Sequence, residues 1–507
     1  FIPYRALLLS TTTTNNIGLI SAAYSSSTSS STSSSLNMSM NAMKATTPTT
    51  MKTKVRIVSY NVLSSQLSEP EHFSTLNPDH LNPINRLPIV LQKLDKEIHQ
   101  IQKKKNEKAN DKATENEQGK QFQSSPIICL QEVSHDWAGS LHTYFANQGY
   151  YFITGLYGKK FNGYMGVGIA FKPSDYNVLD VDISRLADKR EGGWPRPVKQ
   201  EPSTSIVGRV KRSVWKVYQG MTKSVSSMMQ SFLLTFWPGY KKPRSPIEPW
   251  SMSENRHNQL VTLTLQDKTT QQSFVIGNYH MPCAFYAPMV MSIHSDLAAR
   301  HIQRLAGVAT ARSAATAGSV LDTTTTDTCT TSKKINNNEN NDDDDETTIT
   351  TNNMSSSGSG STTGTGTSSS SSNSSSLPYI LAGDWNIKPG DSSYRLLTTG
   401  KMDKGAPEWP TPKFGSEWAP TATGMRSAYA VASHDGKTEP DFTNYARVKE
   451  EEPFIDTLDY LFLSDEWQVT QVKDLPHRNE VQGPFPNLDP TVNEPSDHIL
   501  ISADLEL

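Results

Sequence analysis

"YILAGDWNI", residues 379–387, follows a long tract of serine, threonine and asparagine and decides how the chain is read. An apolar run of strand composition ends in Gly383, Asp384 and Asn386. Asp and Asn both favour turns, so a plain strand-ending turn is one reading. Chemistry is the other. Residues i and i+2 of an extended segment point the same way, and a carboxylate and an amide on one side can hold a metal ion and a developing anion together.

Working outward, the chain has 507 residues, of which 35% are hydrophobic. Globular chains usually reach about 45–50% with glycine included. The deficit lies in tracts, so the remainder can still bury one sizeable core. A formal net charge of -3 gives no global field that would draw in nucleic acid; any basic surface has to be local. The cysteines, Cys129, Cys283 and Cys329, are too far apart for a zinc knuckle and too few for a disulfide framework, so no zinc is expected and a reducing compartment fits. No apolar run reaches the roughly 18 residues of a membrane span. Before Glu69 no acidic residue occurs, and the Ser/Thr-rich stretch 1–53 carries scattered Lys and Arg. It reads as a disordered tail with the look of a mitochondrial or plastid transit peptide; a tail of a cytoplasmic or nuclear protein is the alternative.

Four stretches look like core: Lys54 to about Gln100, Pro126 to about Asp182, Asn255 into the helical pattern Leu297, Ile302 and Leu305, and Leu377 to Leu507. Two inserts interrupt this single domain, 54–507. Residues 313–376 are low complexity and read as a disordered loop. Residues 190–250 are basic, and Val210, Val214, Val217, Met221, Val225, Met228 and Phe232 recur at helical spacing. That stripe reads as an accessory amphipathic helix packed on the core. Its basic face is a candidate contact for a phosphate backbone or an anionic membrane. Many short strands with a few helices predict an α+β sandwich.

Polar groups stand at the predicted strand ends: Asn61, Glu132, Asn278, His280, Asp384, Asn386, Asp459, Asp497 and His498. Each alone has a structural explanation, as a turn cap, an ion-pair partner or a satisfied histidine. Together they meet the needs of phosphodiester hydrolysis. A hard cation such as Mg²⁺ takes a few carboxylates, for which Glu132 with Asp384 or Asp497 are candidates. A histidine moves protons near neutral pH, and amides and imidazoles can bind phosphate oxygens.

In this order, "SYNVLS", "LQEV", "NYHMP", "GDWNIKPGDSSYRLL", "LDYLFLS" and "PSDH" resemble the endonuclease/exonuclease/phosphatase superfamily. The resemblance covers Lys54–Asp182 and Asn255–Leu507 apart from the low-complexity insert. It implies a four-layered α/β sandwich of two packed mixed β-sheets flanked by helices, with the site at one edge. "SAYAVASHDGKTEPDFTNYA", residues 427–446, is similar to the deadenylase-type branch, in which "FTN" precedes the "DY" strand. The chain departs from that branch at Tyr279 and Met281 around His280, and it lacks an upstream leucine-rich repeat.

The resemblance implies roles. Glu132 is the principal Mg²⁺ ligand (Mn²⁺ can substitute), with Asn61 and Asp497 at the metal. Asp384 and Asn386 orient the attacking water, His280 contacts the scissile phosphate, and Asp459 pairs with His498 in acid–base catalysis. Asn278, Phe442 and Asn444 are assigned to substrate binding, and one ion or two remains open. The implied activity is a 3′→5′ RNA exonuclease of deadenylase type acting on single-stranded 3′ ends of RNA, with poly(A) as the favoured sequence. The alternatives are a phosphatase for a small nucleotide or phosphoinositide, a DNA repair endonuclease and an inactive nucleic-acid-binding protein.

Overall fold

A computed structural model describes residues 51–110, 124–158, 164–197, 248–319 and 376–507, with side chains excepted at 100–110 and 309–319. The tail to residue 50, residues 198–247 and residues 320–375 lie outside the described residues, and with them most of both inserts. The described edges of the first insert pack on the core. Trp194 donates its indole N–H to Ala187 O at 2.9 Å, and buried Trp250 donates to Thr411 O at 2.7 Å, so both belong to the core. A helix Pro288–Ser319 runs into the start of the second insert.

Fourteen strands are described: β1 Lys54–Asn61, β2 Ile127–Gln131, β3 Tyr151–Tyr157, β4 Met165–Phe171, β5 Tyr176–Arg185, β6 Gln259–Asp267, β7 Ser273–His280, β8 Tyr379–Asp384, β9 Arg426–Ser427, β10 Asn444–Ala446, β11 Phe454–Asp456, β12 Asp459–Leu463, β13 Gln468–Val472 and β14 Ile501–Glu506. They form two six-stranded sheets, in the orders β13-β14-β1-β2-β4-β3 and β5-β6-β7-β8-β12-β9, and a separate hairpin β10-β11. Each large sheet has one parallel pair at its centre, β1 with β2 and β7 with β8, flanked by antiparallel strands.

The central strands are apolar on both faces because both faces are covered. Ile57, Cys129 and Ile169 of one sheet meet Leu263, Ile276 and Leu461 of the other between the sheets. Outside the first sheet, helices Pro83–Asn110 and His135–Asn147 bury Leu94, Trp137 and Phe145 against Val58 and Leu130. Outside the second, helix Pro288–Ser319 buries Ile293, Leu297 and Ile302 against Leu260, Val275 and Leu381. The result is the four-layered α+β sandwich that the sequence implies. Each fully buried Leu, Ile or Phe contributes about 1.5–3 kcal/mol. Trp385, next to the opening motif's Asp384, belongs to the outer layer and packs edge-on against Tyr279 and Phe462.

Candidate active site

Parallel neighbours deliver their carboxyl ends to the same sheet edge, where ligands of open α/β sheets bind. Asn61 ends β1, and Glu132 follows the last residue of β2. His280 ends β7 in register with Asp384 at the end of β8, and Asp459 opens antiparallel β12 opposite Asp384. Gly383 makes this register attainable: a Cβ there would lie 1.8 Å from Tyr279 O on the neighbouring strand.

Asn61 ties the two sheets together. Its amide N–H₂ donates to Glu132 Oε1 at 3.1 Å and to Asp384 Oδ2 at 2.9 Å. Its amide oxygen accepts from Leu63 N–H at 2.9 Å, which fixes the orientation of the group. Asn61 thus presents its donors to the two carboxylates and positions both. Glu132 Oε2 accepts from Ser64 N–H at 2.8 Å. Beneath, the fully buried Arg86 donates to Leu63 O and, at 3.1 Å, to Pro495 O, joining the loop after β1 to the loop that carries Asp497 and His498.

Glu132 and Asn386 both have left-handed backbone, with φ of 59° and 49°. Such a conformation costs a non-glycine residue about 1–3 kcal/mol and is tolerated only where surrounding bonds over-determine it. For Asn386 this corrects the i, i+2 argument. The strand ends at Asp384, and a left-handed turn, closed by Asn386 N–H to Asp384 Oδ1 at 2.9 Å, brings the amide to the same cavity.

His498 Nδ1 lies 2.7 Å from Asp459 Oδ2, with both residues buried. The two do not sit on neighbouring strands. Asp459 belongs to one sheet, and His498 lies in the loop before β14 of the other. The "FTN" segment bridges them: Thr443 hydroxyl donates to Asp459 Oδ2 at 2.7 Å, and Thr443 O accepts from Ile499 N–H at 2.8 Å. Burial alone would lower the His498 pKa, but Asp459, Asp384 and Asp497 outweigh it and hold the imidazole well above its usual range. Burial raises the Asp459 carboxyl against the pull of His498, and it also raises Asp497, where Glu132 and Asp384 add to the effect.

Glu132, His280, Asp384, Asn386, Asn444, Asp497 and His498 all line one cavity of about 790 Å³. Two expected substrate contacts do not reach it. Asn278 is fully buried between the sheets, donating to Leu130 O and Gly168 O at 2.8 Å each and accepting from Gln131 Nε2. Being two residues before a strand end, it faces the partner sheet. Phe442 is fully buried against Phe485 and Ile499. Sequence reasoning missed Thr443 as the group that holds Asp459, although it is part of the quoted motif. It also missed the cavity's aromatic and cationic walls, Phe285 and Arg256 from loops and Phe454 from the start of β11, none of which belongs to a motif of its own.

One atom each of Glu132, His280 and Asp384 lies within 4.8 Å of the others, a spacing that can hold a metal ion. His280 Nε2 is 3.8 Å from Glu132 Oε1 and 3.5 Å from Asp384 Oδ2, and its buried Nδ1 has no partner. Asp384, Asp459 and His498 form a second such group, but there the direct Asp459–His498 bond already uses the facing atoms. The oxygen-rich donor set fits a hard divalent cation.

The profile of the Endonuclease/Exonuclease/phosphatase family matches residues 295–498. The chain is similar to this family over that stretch. Among its relatives are Carbon catabolite repressor protein 4 homolog 4 of Arabidopsis thaliana, 34% identical over 132 residues, 2′,5′-phosphodiesterase 12 of Rattus norvegicus, 29% over 131, and Nocturnin of Xenopus laevis, 26% over 131. These matches cover 25%, 26% and 26% of this chain and only 27%, 20% and 27% of the relatives' own lengths. Over those stretches the chain is similar to proteins of the deadenylase-type branch. The crystal structure of ANGEL2, a 2′,3′-cyclic phosphatase, in complex with adenosine-2′,3′-vanadate shares the fold, with a TM-score of 0.50 at 15% identity over 90% of this chain and 96% of that one. Among the described residues no helix is long and apolar enough to cross a membrane.

Proposed function

We propose that the protein is a Mg²⁺-dependent phosphodiester hydrolase that acts on single-stranded RNA from the 3′ end, with a preference for poly(A). The observation that carries this reading is the convergence of Glu132, Asp384, Asp497, His280 and His498 on the floor of one open cavity. In this reading Glu132 and Asp384, with Asp497 beside them, hold the cation. When bound, it neutralises phosphate charge and the developing leaving oxygen. The protein's own groups do the rest. His280 Nε2 points into the carboxylate cluster and is placed to donate to a phosphate oxygen. Asp384 Oδ2 lies 3.5 Å from His498 Nε2, so a water held between them can be oriented by the carboxylate while the imidazole handles the proton. Asp459 keeps the His498 ring in place and its Nδ1 protonated.

One feature favours a base-bearing substrate. Phe285 and Phe454 stand at the cavity wall with ring centroids 6.1 Å apart, and they are 47% and 36% exposed. Exposed rings beside a phosphate site are stacking platforms for single-stranded bases. The relatives' names include a 2′,5′-phosphodiesterase, which supports a second reading, a hydrolase of short nucleotide phosphodiesters. Labelled oligo(A), mixed-sequence RNA, 2′,5′-linked oligoadenylate, adenosine 2′,3′-cyclic phosphate, a phosphoinositide and abasic DNA, each tested with Mg²⁺ and with EDTA, separate the readings. Stepwise 3′ shortening of oligo(A) ahead of mixed RNA is expected. Turnover of abasic DNA or phosphoinositide alone would overturn the proposal.

A further inference from the structure

The floor of the cavity is anionic, but one wall carries a cation that the catalytic reading does not use. Arg256 lies in the short turn between helix Pro249–Glu254 and β6, and it lines the cavity with His257. No carboxylate of the described residues pairs with it; its side chain donates from Nη2 to the hydroxyl of exposed Tyr286 at 3.3 Å. The turn is anchored through its backbone and through a neighbouring amide. Arg256 O accepts from Arg185 Nε–H at 2.9 Å, and Leu186 N–H donates to Asn258 O at 3.1 Å. Asn258 Nδ2 donates to His280 O at 2.8 Å, so the turn is tied directly to the residue that carries the catalytic imidazole. Cys283 lines the same cavity as Arg256, Glu132, Asp384 and Asp497. The guanidinium therefore shares the cavity with the carboxylates without an ion pair to any of them among the described residues.

A substrate with one phosphate satisfies the floor alone. A guanidinium is a bidentate receptor for a further phosphate. We infer that Arg256 is a specificity residue that binds a second phosphate of the substrate, one nucleotide away from the bond that is cut. This inference rests on the nucleotide-phosphodiesterase reading above and narrows it to substrates with at least two phosphates.

The test compares three substrates under identical Mg²⁺: the dinucleoside monophosphate ApA, its 5′-phosphorylated form pApA, and the trinucleotide ApApA. The second distinguishes a terminal phosphate from the internal one supplied by the third. The bonds that anchor the turn are made by Arg256 through its backbone, so Arg256→Gln leaves them intact. Loss of a charge-assisted contact should lower kcat/KM by about 10- to 100-fold on at least one of the two-phosphate substrates. ApA hydrolysis should stay within about threefold of wild type, and Arg256→Lys should recover part of the loss. Equal losses on all three substrates, or none on any, would overturn the assignment. Calorimetric binding of pApA and ApA separates this failure from that of the hydrolase reading. If the wild type cuts none of the three but prefers pApA through Arg256, the hydrolase reading falls and the phosphate site stands. If Arg256→Gln binds pApA as tightly as wild type does, the phosphate site falls.

Discussion

Replacing Asp459 by Asn removes one charge from the centre of the site while keeping its shape. In the wild type, Oδ2 accepts from His498 Nδ1–H and from the Thr443 hydroxyl, both at 2.7 Å, while Oδ1 is buried without a partner. The asparagine carbonyl can keep both bonds with its N–H₂ on the Oδ1 side. The fold should survive, and the change reports on charge. A hydrogen bond to a charged group contributes about 1.5–3 kcal/mol, so weakening it to a neutral acceptor should slow the chemical step by about 10- to 150-fold. Removing the imidazole itself, as in His498→Ala, should cost about 10²–10⁴ in rate. Because Asp459 acts through His498, the double variant should be no slower than His498→Ala alone within about threefold, which is strong non-additivity. The assay is single-turnover cleavage of labelled oligo(A) at saturating Mg²⁺, with thermal unfolding of all four proteins alongside. Strictly multiplicative losses, or an Asp459→Asn protein as fast as wild type, would refute the pairing as a catalytic unit.

Three further outcomes are expected. Hydrolysis should vanish in EDTA and return with Mg²⁺ or Mn²⁺, and Glu132→Gln should raise the Mg²⁺ concentration for half-maximal rate by at least about tenfold; full activity in verified metal-free protein would count against the donor set. Gly383→Ala should destabilise the protein by at least about 3 kcal/mol in urea unfolding, because the added Cβ would lie 1.8 Å from Tyr279 O. Burial of His294, which accepts from Tyr279 hydroxyl and donates to Ser253 O, lowers its pKa to about 4. The unfolded chain takes up that proton near pH 6.5, so stability present above pH 6.5 should be lost as pH falls toward 4. The loss is at most about 3 kcal/mol, and His294→Gln should flatten that slope in a series of unfolding curves.

What the sequence disclosed, and what it hid, follows from the range of each interaction. Strand composition and the ordered polar residues at strand ends are local, so both sheets and the residues Glu132, His280, Asp384 and His498 were legible. The side a residue faces is set by its neighbours. Asn278 and His280 share one strand and one face, yet the first lies between the sheets and the second at their open edge. Phe442, Thr443 and Asn444 are consecutive, and they divide into a core ring, a support for Asp459 and a cavity wall. No periodicity distinguishes these roles, because a two-stranded hairpin outside both large sheets creates them. Arg86 was hidden for another reason. An arginine on an amphipathic helix is usually at the surface, and only the carbonyls of Leu63 and Pro495 explain why this one is inside.

The charges around the floor show why a divalent cation suits it. Four carboxylates approach one another: Glu132, Asp384, Asp459 and Asp497. The His498 imidazolium offsets Asp459, its partner at 2.7 Å. The nearest buried guanidinium, Arg86, is held by carbonyls rather than by a carboxylate, and it still feels Asp497 and Glu132. With His498 and Arg86 each counted as one positive charge against the four carboxylates, a net charge of two negative remains in a buried setting, where an uncompensated charge costs several kcal/mol. Protonating one carboxyl relieves half of this imbalance, and the raised carboxyl of Asp497, to which burial, Glu132 and Asp384 contribute, is that relief seen from the proton's side. A monovalent ion would relieve no more. A divalent ion removes the imbalance entirely, and it turns a floor that repels a phosphodiester into one that accepts its single negative charge. The same cluster whose charge is costly to bury is therefore one that a doubly charged cation would neutralise.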